Sequence, residues 1–314
     1  MIPLSIEDIR DAHTGLAGVG VRTPLIPLDL GLPFPVRIKA EYQQPIGAFK
    51  IRGAWTALSR LPAAARQRGV ITSSSGNHGL GLAWAAQRLG IRAVVVMPES
   101  APAVKQDGIR AAGGEIRLIG AVRGPEQGIE AERLAAREGL TFVHPYDHLD
   151  VIAGQATCAL EILEQWPEVD TVVVPVGGGG LLAGSCAAVT ALGRETRIVA
   201  VEPAAIPKLS AAFAAGSPVD LSGGTSLADG LLTRSVGLMT WPVIKERVRE
   251  IIGVTDAEIQ AALCWLDRRE IRVEPSGAVT VAALLGGRLT LSGPTVAICG
   301  GGNVDPTRYR ELVA

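Results

Sequence analysis

The chain has 314 residues and a formal net charge of −1, with 47% hydrophobic and 19% charged residues, a length at which one large domain or two lobes sharing a site is expected. With no long run of like charge, it lacks the electrostatic footprint of a nucleic-acid or anionic-membrane partner, and a small-molecule ligand fits better. No apolar run nears the roughly 18 residues of a membrane span, and Cys158, Cys186, Cys264 and Cys299 form neither a CxxC pair nor a dense framework, so a cytoplasmic protein with reduced thiols and no zinc site is expected.

The N-terminal stretch MIPLSIEDIRDAH carries acids early and has no long apolar core, unlike a secretory leader. Further on, Gly47-Ala48-Phe49-Lys50-Ile51-Arg52 sets one of the five lysines between two bulky apolar residues, ahead of a helical pattern. The pattern then predicts a strand over 70–74, a helix over 77–89, a strand over 93–97 and a helix over 105–112. Strands over 171–176, 198–201 and 296–299 follow, each a β-branched run ended by Pro or Gly. Runs that are apolar on both faces fit buried parallel strands covered by helices, so the fold class is α/β with a parallel sheet in each of two lobes. Residues 70–146 are expected to form a smaller lobe inserted in a larger one of 1–69 plus 147–314, with the ligand in the cleft between them.

Three glycine loops follow predicted strands. The clearest is Gly177, Gly178, Gly179 and Gly180 between the run VVVPV and the helix-prone LLAGSCAAVTAL. Without Cβ atoms the backbone can come close to an anion, and the helix start adds its positive dipole end, so this is a phosphate cradle rather than a mere tight turn. Gly178-x-Gly180-x-x-Ala183 also fits the dinucleotide fingerprint, with Glu202 about 20 residues on, which keeps a nicotinamide enzyme in view. No Gly-Lys-Ser or Gly-Lys-Thr follows, which speaks against ATP hydrolysis. The second loop, Ser73 to Gly79, offers hydroxyls and an amide at another helix start, suited to a carboxylate or to simple capping by Ser75 or Asn77. His78 there is either a ligand contact or a structural histidine. The third is Cys299-Gly300-Gly301-Gly302-Asn303. Most lysines are solvated surface charges, but a desolvated Lys50 has a lowered pKa and becomes a nucleophile toward an aldehyde, a role arginine cannot fill.

QQPIGAFKIRGA, SSSGNHG, VIAGQAT, VVVPVGGGGLLAG, VEPSGA and GGNVD occur in the order found in the tryptophan-synthase-like pyridoxal-phosphate (PLP) enzymes. The chain resembles the branch holding serine and threonine dehydratases and serine racemase, over nearly its whole length. The resemblance implies the two-lobed fold type II, with PLP carried on Lys50 beside Phe49. It implies Asn77 as donor to the ring hydroxyl, and Gly177 to Gly180 with the Leu181 amide as phosphate cup. Ser74, Ser75, Gly76 and His78 match the loop that receives the substrate carboxylate. Glu274 matches a glutamate near the ring, or is a structural acid beneath it. Relatives have serine, threonine or cysteine facing the pyridine nitrogen where this chain has Gly300, so a shifted Cys299 thiol or water is expected there.

The implied reaction converts a 3-hydroxy amino acid to a 2-oxo acid and ammonia, with Lys50 removing the α-proton. Serine would yield pyruvate and threonine 2-oxobutyrate. Serine racemase-like enzymes use a serine at the Ser75 position as acid and base on the opposite face, so a racemase side activity is expected. 3-Hydroxyaspartate is a third substrate left open, and a nicotinamide oxidoreductase or an inert binding protein are readings from other classes. A homodimer is expected. A C-terminal amino-acid-sensing domain is not seen after GGNVD, so isoleucine feedback through one is not expected. Glu202 matches a carboxylate that binds a divalent cation in relatives, but Lys208 stands where they have an aspartate. The metal site is therefore expected to be lost and Lys208 to pair with Glu202.

Overall fold

The computed structural model describes residues 4–121 and 125–314. Its strands are β1 (Leu25–Leu28), β2 (Val36–Lys39), β3 (Val70–Ser73), β4 (Ala93–Met97), β5 (Glu115–Leu118), β6 (Thr141–Phe142), β7 (Thr171–Pro175), β8 (Arg197–Pro203), β9 (Glu250–Val254) and β10 (Thr295–Ile298). They form a six-stranded sheet in the order β1-β2-β10-β7-β8-β9 and a four-stranded sheet in the order β5-β4-β3-β6. Every pairing is parallel except β1 with β2. The expected α/β class with a parallel sheet in each layer is thus what the chain adopts.

The central strands are apolar on both faces because both faces are covered. Along β7, β8 and β10 the side chains alternate residue by residue between two cores. Val173, Val199, Val201 and Ala297 meet the helix Pro275–Leu285 on one side. Val172, Val174, Ile198, Ala200, Val296 and Ile298 meet the helices Leu149–Gln165 and Gly180–Ala191 on the other. Each fully buried valine or isoleucine contributes about 1.5–3 kcal/mol before chain entropy is set against it, so these strands are the rigid floor of the molecule. In the four-stranded layer Ile71, Val94 and Val96 pack on Ala131 and Leu134, while Val95 and Met97 pack on Ala83 and Ile109.

The helix Lys50–Ser59 joins the layers. It packs on both the helix Asn77–Leu89 and the helix Leu149–Gln165, and its Ala57 and Leu58 share a core with Val70, Leu82 and Val151. All four cysteines are free. Among the described residues no helix is long and apolar enough to cross a membrane.

Lys208 and Glu202 make no direct ion pair, although the Glu202 charge still favours the protonated form of Lys208. Glu202 stands next to the last residue of β8, and its carboxylate takes backbone donors at the start of the following helix, Lys208–Ala215: Leu209 N at 2.7 Å and Ser210 N at 3.0 Å, with Ser210 Oγ at 2.7 Å. Free N–H groups in the first turn satisfy an anion without any ammonium. Lys208 does not reach solvent either. It is fully buried and reaches only the Ile206 carbonyl, at 3.4 Å, and burial pulls its pKa down to about 8.

Candidate active site

The carboxyl ends of β3, β6, β7 and β10 open onto one cavity of about 650 Å³, where ligands of parallel α/β sheets bind. Phe49, Lys50, loop 73–78, loop 177–181, Glu274 and Gly300 all line it, so residues far apart in sequence share one wall.

Lys50 begins its helix at the cavity edge. Its Nζ donates to Pro145 O at 2.9 Å and lies 5.3 Å from the centre of the Phe49 ring. Burial draws its pKa down to about 8, because the desolvated ammonium has only a carbonyl dipole to stabilise it. A useful fraction of neutral amine is present near neutral pH.

In loop 73–78 the hydroxyl that satisfies the helix start is that of Ser74, which accepts from Gly76 N at 3.3 Å and Gly79 N at 3.0 Å. The cap position itself is Gly76, and Asn77 is the first residue of the helix. Asn77 instead turns its amide into a relay: Nδ2 donates to Glu274 Oε1 at 2.7 Å and Oδ1 accepts from Asn303 Nδ2 at 2.9 Å. Burial, aided by the Asp229 charge, raises Glu274 to about 7, and its Oε2 is buried without a partner. A neutral acid can therefore sit beside Asn77. Burial and then the Lys50 charge push His78 well below its ordinary range, leaving it uncharged at physiological pH.

Two positions of the glycine loop have no room for a side chain. At Gly178 a Cβ would fall 2.3 Å from the Tyr146 ring, and at Gly179, where φ is +94°, it would fall 2.8 Å from Ile244 and 2.9 Å from Thr240 Oγ1. The loop runs directly into the helix Gly180–Ala191. Tyr146 and His144 escaped the sequence reading, although both follow a strand end, as the three glycine-bearing loops do. His144 accepts from Asp147 N at 2.8 Å and meets Tyr146 edge-on at 4.5 Å. Burial lowers its pKa to about 4.

Cys299 does not reach this cavity. Side chains alternate at the end of β10, so Cys299 points into the core with Val173 and Ala297, where burial pushes its thiol up to about 12. Gly300 faces the cavity instead, its Cβ position 3.2 Å from the Phe49 ring. The Cys299 thiol is therefore turned away from the cavity expected to receive it, and Gly300 lines that wall in its place.

A family profile described as pyridoxal-phosphate dependent enzyme matches residues 17–301. The chain belongs to that family. It is similar to an L-threonine ammonia-lyase of Geobacter sulfurreducens, 42% identical over 87% of this chain and 68% of that protein. It is also similar to an L-threo-3-hydroxyaspartate ammonia-lyase of a Pseudomonas species, 38% identical over 98% of each. The solved structure of maize serine racemase superposes with a TM-score of 0.93 at 35% identity, over 98% of this chain and 96% of that one. The residues fit the PLP cofactor: a depressed lysine amine suits its aldehyde, and a side-chain-free loop at a helix start suits its phosphate. The dinucleotide reading is set aside, since Glu202, which would have to meet a ribose, is buried as the cap of another helix.

Proposed function

We propose that this PLP enzyme is an ammonia-lyase that converts serine or threonine to a 2-oxo acid and ammonia. What carries the proposal is the Lys50 amine, depressed to about 8, in one cavity with both the glycine loop and loop 73–78. The cofactor supplies an electron sink for the charge left at Cα. Lys50 would hold it through its side-chain amine, and that same amine, once free, would be placed to remove the Cα proton of the substrate. Loop 177–180, with Leu181, would hold the phosphate, and Asn77, bonded to Glu274, would hold the ring oxygen. Ser74, Ser75, Gly76 and His78 receive the substrate carboxylate. As the β-hydroxyl leaves with a proton as water, the product enamine takes water back to give the 2-oxo acid and ammonia.

Two cations of the cavity wall already have carboxylate partners, Lys105 with Asp229 and Arg234 with Asp220. This favours a substrate with one carboxylate over 3-hydroxyaspartate. Serine racemisation through Ser75 is the second reading, favoured by the place of Ser75 in the same wall as Lys50. We further propose lobes of 1–69 plus 147–314 and 70–146, and a cytoplasmic homodimer, the latter to be checked by light scattering. The deciding experiment treats the yellow protein with borohydride and maps the adduct, expected on Lys50. A panel of serine, threonine and 3-hydroxyaspartate is then scored for oxo acid and for the mirror-image amino acid. Oxo acid from none of the three would overturn the lyase assignment.

A further inference from the structure

Lys105 and Asp229 lie on opposite sides of the cavity rim. Lys105 stands in the first turn of the helix Ala103–Ala111, which packs on the helix Asn77–Leu89 and on β5 of the four-stranded layer. Its Nζ lies 3.8 Å from the Cβ position of Gly76, directly against loop 73–78. Asp229 opens the short turn Asp229–Leu231, which belongs to the six-stranded layer. There Gly230 N donates to Ser276 Oγ at 2.9 Å, and Ala228 and Leu231 are buried with Val173 and Val199. On its other side the same turn touches the glycine loop, the Gly230 carbonyl lying 3.6 Å from the Cβ position of Gly177. The Lys105 ammonium is hydrogen-bonded to the Asp229 carboxylate, with Lys105 11% and Asp229 45% exposed. One ion pair thus ties the carboxylate-binding side of the cavity to the phosphate-binding side.

We infer that Lys105 and Asp229 form a latch between the two layers that holds loop 73–78 over Lys50, making both of them positioning residues for the amino-acid substrate. The inference rests on the lyase reading for its substrate but not for its geometry. Without the pair, a larger share of the molecules stands with the layers apart, and substrate binding must first draw them together. That reduces apparent affinity in proportion to the closed fraction and leaves the chemistry of the closed state intact.

In the holoenzyme, Lys105→Met and Asp229→Asn should each raise KM for serine or threonine roughly two- to fivefold, with kcat changed by less than about 1.5-fold. The reversed pair, Lys105→Asp with Asp229→Lys, should bring KM back to within about 1.5-fold of wild type, which neither single change can do. Hydrogen exchange without substrate should quicken over residues 74–80 and 103–111 in the single variants and slow again in the reversed pair. A lowered KM in Asp229→Asn would show that a freed Lys105 binds substrate itself, and would overturn the latch. An unchanged KM in both single variants would also overturn it, as would a reversed pair no better than either. If no 3-hydroxy amino acid is turned over, the lyase reading fails by itself; the latch then stands or falls on the exchange measurement.

Discussion

Lys50 and Arg52 are two residues apart on one helix and so face opposite sides of it, and the protein treats their charges in opposite ways. Arg52 is buried with every donor directed: to Glu41 at 2.8 Å, to Glu161 at 2.7 Å and to Thr157 at 3.0 Å. Lys39 completes the cluster, bonding Glu161 at 2.6 Å and the Thr23 carbonyl at 2.7 Å. Burial works against the Arg52 charge, but the two glutamates outweigh it and hold the guanidinium firmly protonated. Lys50 has a single carbonyl and a depressed pKa. A buried charge with all its partners is scaffold, whereas a buried amine left nearly alone is a reagent.

The sharpest way to break this comparison is Lys50→Ala. Cofactor carrier and base disappear together, so kcat should fall about 10⁴-fold, measured as oxo-acid formation, while the melting temperature of the cofactor-free protein barely moves. Lys50→Arg should be equally inactive, since a guanidinium does not give up its proton. Arg52→Met should do the reverse. Leaving Glu41 and Glu161 without their partner should cost about 3–5 kcal/mol of stability in urea titration, and Glu161→Gln in the same chain should recover part of the loss. An Arg52→Met protein of wild-type stability would mean the cluster is not the scaffold it resembles.

Gly178→Ala tests the cradle, because its Cβ would collide with the Tyr146 ring. A crowding cost of about 1–3 kcal/mol corresponds to a loss of cofactor affinity of about 5- to 150-fold, and Tyr146→Ala should relieve it. The smallest effect concerns pH. The neutral fraction of Lys50 grows as pH rises through about 8, so the rate of cofactor capture by the stripped protein should climb about tenfold between pH 7 and pH 9 and then level off. A rate still rising steeply at pH 10 would place the amine in the ordinary lysine range.

The phosphate cradle and the helix Asn77–Leu89 were legible because their signals are contiguous: an apolar strand, a bare loop and a helix within a few residues. β2 was not, since Val36-Arg37-Ile38-Lys39 carries two cations that read as surface. Lys39 finds Glu161 122 residues away, a distance at which no local pattern operates. The Glu202 reading failed for a different reason. A lysine six places on looks like a partner, but the backbone of the helix that begins at this lysine supplies the donors, Leu209 N and Ser210 N. Cys299 failed by one step of strand alternation, which turned its thiol into the core and left Gly300 to face the cavity. In loop 73–78 three consecutive serines offer equivalent hydroxyls, and nothing local marks Ser74 as the one that meets Gly76 N and Gly79 N.

The position of β10 in the larger sheet bears on how the protein is made. Thr295–Ile298 lies between β2 and β7, paired in parallel with both, and Asn303 beyond it bonds the Ile46 carbonyl at 2.8 Å. A nascent chain on the ribosome therefore carries a sheet split down its middle, with β1 and β2 separated from β7, β8 and β9, until residues past 295 emerge. Its two exposed strand edges are what chaperones must shield during synthesis. A message truncated ahead of β10 should therefore yield aggregate rather than a partly active enzyme.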